Sequence, residues 1–257
     1  MGFTETMLER YASDVRVAVE HPFVLAAGDH SLAHPVLAEW LAQDRVYALC
    51  GYPKFIAQLI AALPLASPRD QRRARPLLTL FVDALANIDR EVAFFDSLGP
   101  KYGLDLDLEQ RSPARLGVSA PPPSDDDSRG KLVSRVHPTT KAYVDLLIAT
   151  GAEAHGTLDE ALVLLWGMEK IYLLAWTHAK SQPEAPGVDA DSPTVRALRE
   201  LVENWTTPEF VAFVDRIESE VENLGLREGT DAWDRCEEMF KYNLLLEQQF
   251  WPKVVSP

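Results

Sequence analysis

Hydrophobic positions along the chain recur at intervals of three and four residues, the repeat of α-helices with one face turned inward, and no stretch shows the strict alternation of a strand. In LAEWLAQDRVYALCGY, residues 37–52, the side chains of Leu37, Trp40, Leu41, Asp44, Tyr47 and Ala48 fall on one face. Ser31-Leu32, with Pro35 soon after, marks the start of this helix, and Pro53 bends or ends it. Upstream, residues 4–28 carry helical spacing interrupted at His21-Pro22. After ALPLASPRD, residues 68–97 read as a helix with Leu77, Phe81, Leu85, Ile88, Val92 and Phe95 inward, broken by LGPKYGLDL. Further helices are predicted over 139–150, 158–181, 192–204, 207–224 and 230–250. Between the two halves, SPARLGVSAPPPSDDDSRGK (112–131) has four prolines and three consecutive aspartates and reads as a solvated loop. The pattern predicts an all-α bundle of some eight or nine helices forming a single domain over residues 1–257.

Three of the inward stripes carry an acid at their centre. Asp44 interrupts the first. In EALVLLWGMEKIYLLAW (160–176), Glu169 lies among Leu162, Leu165, Trp166, Tyr172, Leu173 and Trp176. In EEMFKYNLLLEQQFW (237–251), Glu247 lies among Phe240, Asn243, Leu244, Phe250 and Trp251. A buried unpaired carboxylate costs several kcal/mol, so each of the three must meet a base, hold a proton or face a polar cavity. Arg90, Lys141 and Lys170 are the bases that could serve as partners, and Arg90 or Lys101 could pair with Glu91. The more economical account is one central pocket, lined by Trp and Tyr, whose carboxylates share a ligand. Its guest is a flat, partly apolar small molecule that is cationic or rich in N–H donors, because a carboxylate accepts two parallel hydrogen bonds from an amidine-like edge while aromatic rings stack on its faces.

Composition narrows the function classes. The 257 residues are 47% hydrophobic and 25% charged, as in an ordinary globular protein. A net charge of −14 opposes the phosphate attraction that dominates nucleic-acid affinity, so no nucleic-acid partner is expected. No run reaches the ~20 apolar residues that span a bilayer, no secretory leader opens the chain, and Cys50 and Cys236 form neither a disulfide framework nor a zinc set. These features predict a cytoplasmic protein without a membrane partner. His21, before Pro22, reads as a capping or packing residue; His30, His34, His137, His155 and His178 share no ligand spacing, and no E-x-x-H occurs, so no metal or cofactor is predicted.

HPFVLAAGDHSL (21–32), QDRVY (43–47) and LEQQFW (246–251) together resemble the sequence blocks of the TenA, or thiaminase-2, family, in the same order and spanning essentially the whole chain. The resemblance implies the haem-oxygenase-like helical fold, assembly as a homodimer or homotetramer, and a role in thiamin salvage on a pyrimidine ligand. It implies that Asp44 grips the pyrimidine amino edge beside Tyr47 and that Glu247 transfers protons. Tyr143 in HPTTKAY and Tyr172 would complete the substrate-binding set, with Trp166 as a wall. Thiaminase-type members carry a nucleophilic cysteine one turn before the last of these tyrosines, whereas here the turn reads Trp166, Gly167, Met168, Glu169. The chain thus resembles a cysteine-lacking branch. The chemistry implied is hydrolysis of an aminomethyl or formylaminomethyl pyrimidine by carboxylate-activated water, with Asp44, Glu169 and Glu247 as catalytic groups. The alternative is a non-catalytic pyrimidine-binding protein of the same fold.

Overall fold

The computed structural model describes residues 2–108, 136–152 and 157–254. Among them are eleven helices and no strand: α1 (Phe3–Arg10), α2 (Ala12–Val19), α3 (Pro22–Gly28), α4 (His34–Cys50), α5 (Tyr52–Ala62), α6 (Pro68–Tyr102), α7 (Pro138–Gly151), α8 (Leu158–Lys180), α9 (Pro193–Asn204), α10 (Pro208–Glu222) and α11 (Asp231–Phe250). The predicted 112–131 loop lies almost wholly within the segment outside the described residues.

Local chemistry sets the helix boundaries. Proline occupies the first turn of α3 to α7, α9 and α10, where its missing N–H is one that the helix leaves unpaired anyway. Ser67, Thr207 and Thr230 each accept a backbone N–H at an N-terminus, and Thr157 with Glu160 closes a capping box at the start of α8. The helical spacing over 4–28 is interrupted at His21-Pro22, as expected, and once more at Tyr11, and the helix anticipated from Ser31 starts at His34. α6 runs to Tyr102, past the anticipated break at LGP. Pro100 sits in its last turn, and the helix ends where Gly103 adopts the left-handed conformation, φ +68°.

The bundle is organised around α8. Every residue from Ala161 to Met168 is buried, so this helix is apolar all round and must be enclosed. α11, α10, α3 and α2 pack against it, and α4 to α7 close the other side of the interior through contacts with one another and with α11. The buried side chains form one continuous cluster running from Phe3 to Trp251. No helix among the described residues is long and apolar enough to cross a membrane.

α3 can lie close to the end of α8 because residue 28 is glycine: a Cβ there would come within 2.3 Å of the Ala179 carbonyl oxygen. Backbone cannot give way as a side chain can. Gly28→Ala is therefore expected to destabilise the protein by about 1–3 kcal/mol despite alanine's better helix propensity, read as a lower midpoint in urea with an unchanged slope.

Candidate active site

One cavity of about 260 Å³ opens between α4, α5, α6, α7, α8, α11 and the α9–α10 junction. Its inner part is lined by four carboxyl side chains from four helices, Asp44 (α4), Glu91 (α6), Glu169 (α8) and Glu247 (α11), and a fifth, the exposed Glu209 of α10, lies further out. Tyr47, Tyr52, Tyr143, Tyr172, Trp205, Phe250 and Met168 supply its walls, and Arg90, Asn204, Thr207, Glu209 and Phe210 stand towards its outer part. The space suits a small ligand of one or two rings.

Each inner carboxyl is held by a neutral aromatic donor. Tyr172 Oη donates to Asp44 Oδ2 at 3.0 Å, Tyr52 Oη to Glu169 Oε1 at 2.5 Å, and Trp205 Nε1 to Glu91 Oε2 at 3.0 Å. Tyr143 Oη donates to Glu247 and itself accepts from Asn243 Nδ2 at 2.5 Å. Asn243 reaches that tyrosine from α11 beside Gly167, where a Cβ would lie 2.3 Å from Asn243 Oδ1, so a side chain on α8 would push this pair apart. Tyr47 Oη approaches Met168 Sδ at 3.2 Å.

Among the described residues no base pairs with these four acids. Lys170 turns away to Glu218 at 2.8 Å, Lys141 pairs with Asp145 on its own helix, Lys101 with Glu200 at 2.6 Å, and the exposed Arg90 bonds Asn87. The partnerships that Arg90, Lys141 or Lys170 could have offered the three acids, and Arg90 or Lys101 could have offered Glu91, are not formed. Burial therefore dominates the proton affinities. It pushes Glu169 and Glu247 up to about 8 and Glu91 to about 7, against the opposing hydrogen bonds from Tyr52, Tyr143 and Trp205. Asp44 is raised well above the ordinary carboxyl range, first by burial and then by the neighbouring charge of Glu91. All four acids therefore hold a proton to higher pH than an ordinary carboxyl does.

Of the seven residues anticipated from the sequence, Asp44, Tyr47, Tyr143, Glu169, Tyr172 and Glu247 line this one cavity. Trp166 does not. It stacks on Phe240 with ring centres 5.2 Å apart and directs Nε1 to Glu218, because its position on α8 faces α10 and α11 away from the cavity. His21 caps α3, its Nδ1 accepting from the Phe23 N–H. Neither cysteine lines the cavity, and burial raises the Cys236 thiol to about 12. Among the described residues no His, Cys, Asp or Glu side chains group as metal ligands. Glu91 is the acid whose place in the cavity the stripe analysis missed. Its signal was present: Ala84, Ile88, Glu91, Phe95 and Leu98 follow the same three-and-four spacing, and all but Glu91 are buried apolar residues.

Known proteins agree with this architecture. A TenA homologue from Pyrococcus furiosus superposes with a TM-score of 0.68, covering 97% of this chain and 98% of its own, at 21% identity. The chain has the TenA fold. It is the haem-oxygenase-like all-α arrangement that the sequence blocks implied. A candidate TenA-like thiaminase from Sulfolobus solfataricus shares the fold at TM-score 0.61 and 14% identity, covering 98% of this chain and 94% of its own. In sequence, a Fusarium pseudograminearum protein named "Probable transcription factor" is 26% identical over 93% of this chain. The chain spans about half the length of that relative, 49%. No protein-family model matches the sequence.

The raised proton affinity of this TenA-fold cavity has a sign that can be measured. A carboxyl whose pKa is raised on folding keeps its proton in the native state but loses it in the unfolded state between about pH 4.5 and 8, so stability falls as pH rises through that window. The melting temperature is expected to drop from about pH 5 to about pH 9. Glu169→Gln and Glu247→Gln should flatten this slope and exceed the wild type at the alkaline end, by about 2–4 °C for each kcal/mol relieved, in scanning fluorimetry across pH.

Proposed function

We propose that this chain hydrolyses a carbon–nitrogen bond on the side chain of an aminopyrimidine, in thiamin salvage, using water activated by a carboxylate in place of a cysteine nucleophile. The observation that carries this reading is the set of four carboxyls around one aromatic-walled cavity, each bonded to a neutral aromatic donor and none to a base. Kinship in fold with TenA homologues and with a candidate TenA-like thiaminase supports the substrate class.

Asp44 has one oxygen held by Tyr172, which fixes the carboxylate plane towards the cavity so that the ligand's amino group and adjacent ring nitrogen can donate to it. Tyr47 and Phe250, packed edge to face with ring centres 6.0 Å apart, form a wall on which the ring can lie. The reaction consumes one water: its oxygen bonds to the side-chain carbon, the C–N bond breaks, and the amine leaves with a proton. For an aminomethyl substrate the products are the hydroxymethyl pyrimidine and ammonia. For a formylaminomethyl substrate, attack at the formyl carbon gives the aminomethyl pyrimidine and formate. Glu169 and Glu247, both near pKa 8, are each poised between the two forms required: the ionised one takes a proton from water, and the protonated one delivers a proton to the departing amine. Met168 stands one turn before Tyr172 with its thioether against Tyr47, and it supplies no nucleophile.

The transcription-factor name belongs to a relative about twice as long, and the net charge of −14 opposes a direct phosphate-binding role for this chain.

The purified protein is expected to release ammonia from aminomethyl pyrimidine. Asp44→Asn should abolish turnover, while Glu169→Gln and Glu247→Gln each reduce kcat by roughly 10²–10⁴-fold. A thermal shift on adding the hydroxymethyl pyrimidine, with neither ammonia released from the aminomethyl pyrimidine nor formate from its N-formyl derivative, would replace hydrolysis by simple binding.

A further inference from the structure

Glu91 is the inner carboxyl of the pocket for which neither the reaction outlined above nor the sequence blocks supply a role. It stands on α6, which packs against the Asp44 helix α4, and lines the cavity together with Trp205. Trp205 is anchored from behind: its ring lies 4.6 Å from Trp176, 5.0 Å from Tyr172 and 6.0 Å from Phe95. The indole N–H therefore holds Glu91 Oε2 in one place. Oε1 accepts no hydrogen bond among the described residues, and the nearest bases in sequence, Arg90 and Lys101, are bonded to Asn87 and Glu200. A carboxyl fixed by one oxygen, with the other turned to an enclosed space, is arranged as an acceptor for something that enters that space.

We propose that Glu91 receives a positively charged amine of the bound ligand, and that this contact makes the cavity prefer an arylmethylammonium ligand to the neutral amide of the same amine. The substrate class rests on the hydrolase reading, but the charge preference does not. Two further facts favour a cation. The charge of Glu91 is the largest that acts on Asp44, and it also acts on Glu169, so ionised Glu91 opposes the ionisation of both. A bound ammonium relieves that opposition and a neutral amide cannot. The amide also brings a carbonyl oxygen, an acceptor, into a space whose four acids present mainly acceptors once ionised. Of the aromatic donors that could satisfy it, Tyr52, Tyr143, Tyr172 and Trp205 are already engaged with the carboxyls, which leaves Tyr47, whose hydroxyl meets only the weak acceptor Met168 Sδ.

Calorimetric titration of the intact chain near neutral pH tests this with two matched pairs: aminomethyl pyrimidine against its N-formyl derivative, and benzylamine against N-benzylformamide. The wild type is expected to bind each amine at least about tenfold more tightly than its amide, a difference of about 1.4 kcal/mol. Glu91→Gln keeps an oxygen for Trp205 and removes only the charge; it should weaken the amines about tenfold and leave the amides within about threefold. Glu91→Asp, which withdraws the carboxyl but keeps its charge, should give an intermediate loss, and it supplies the reading if the glutamine variant does not fold. Equal weakening of amine and amide, or an unchanged preference, overturns the proposal. A Glu91-dependent preference seen with the benzyl pair alone upholds it while removing the pyrimidine reading. Pyrimidine binding without amine preference does the reverse, and failure of the wild type to bind any of the four compounds removes both.

Discussion

Four acids share one interior without a base among them, and the rest of the architecture answers to that constraint. Asp44, Glu91, Glu169 and Glu247 come from four different helices, so their meeting point is where those helices are fixed relative to one another. Coulomb repulsion and lost hydration would drive four carboxylates apart. Protonation and the aromatic O–H and N–H donors hold them in place instead, each donor coming from a helix other than the one that carries its acceptor or, for Trp205, from the residue just past the end of α9. The hydrogen bonds are thus tertiary bonds: Tyr52 ties α5 to α8, Tyr143 ties α7 to α11, Tyr172 ties α8 to α4, and Trp205 ties the α9–α10 junction to α6.

The positive charges are placed accordingly. Lys170 follows Glu169 directly in sequence, yet it extends towards Glu218 on α10, and Arg45, next to Asp44, bonds Asp96 at 2.7 Å on the outer side of α6. Adjacent residues on a helix point about 100° apart, so a base beside an inward acid is carried outward by the backbone itself. The result is a cavity with an acidic interior and a chain whose bases are occupied near the surface. Such an interior raises the proton affinity of its acids.

Behind the acids lies a rigid aromatic wall. Trp40, Trp176, Trp205 and Trp251 contact one another with ring centres 4.6–6.3 Å apart, Tyr172 stacks on Trp251 at 6.0 Å, and the indole N–H of Trp251 bonds the Ala18 carbonyl. Large rings that interlock in this way leave few alternative rotamers, which keeps Tyr172 and Trp205, and through them Asp44 and Glu91, in fixed orientations. The geometry of the cavity wall thus follows from packing rather than from flexible contacts.

The sequence alone determined the class of fold and the acids at the centres of three stripes, because helical periodicity is local: an acid at the middle of an apolar face must point where that face points, whatever the neighbours are. Asp44, Glu169 and Glu247 were legible for that reason, and Glu91 was legible too once Ala84, Ile88, Phe95 and Leu98 were taken as its stripe. Helix ends were less so, as α6 passes Pro100 and stops only at Gly103, where a left-handed residue closes it. What only the tertiary structure decided was partnership. Trp166 and Glu169 lie three residues apart on one helix, yet one packs on Phe240 and the other enters the cavity, since α8 is enclosed on every side and no rule of spacing tells which neighbour each face will meet. Whether an inward acid finds a lysine or a tyrosine is likewise a matter of how separate helices dock, and here all four found aromatic donors.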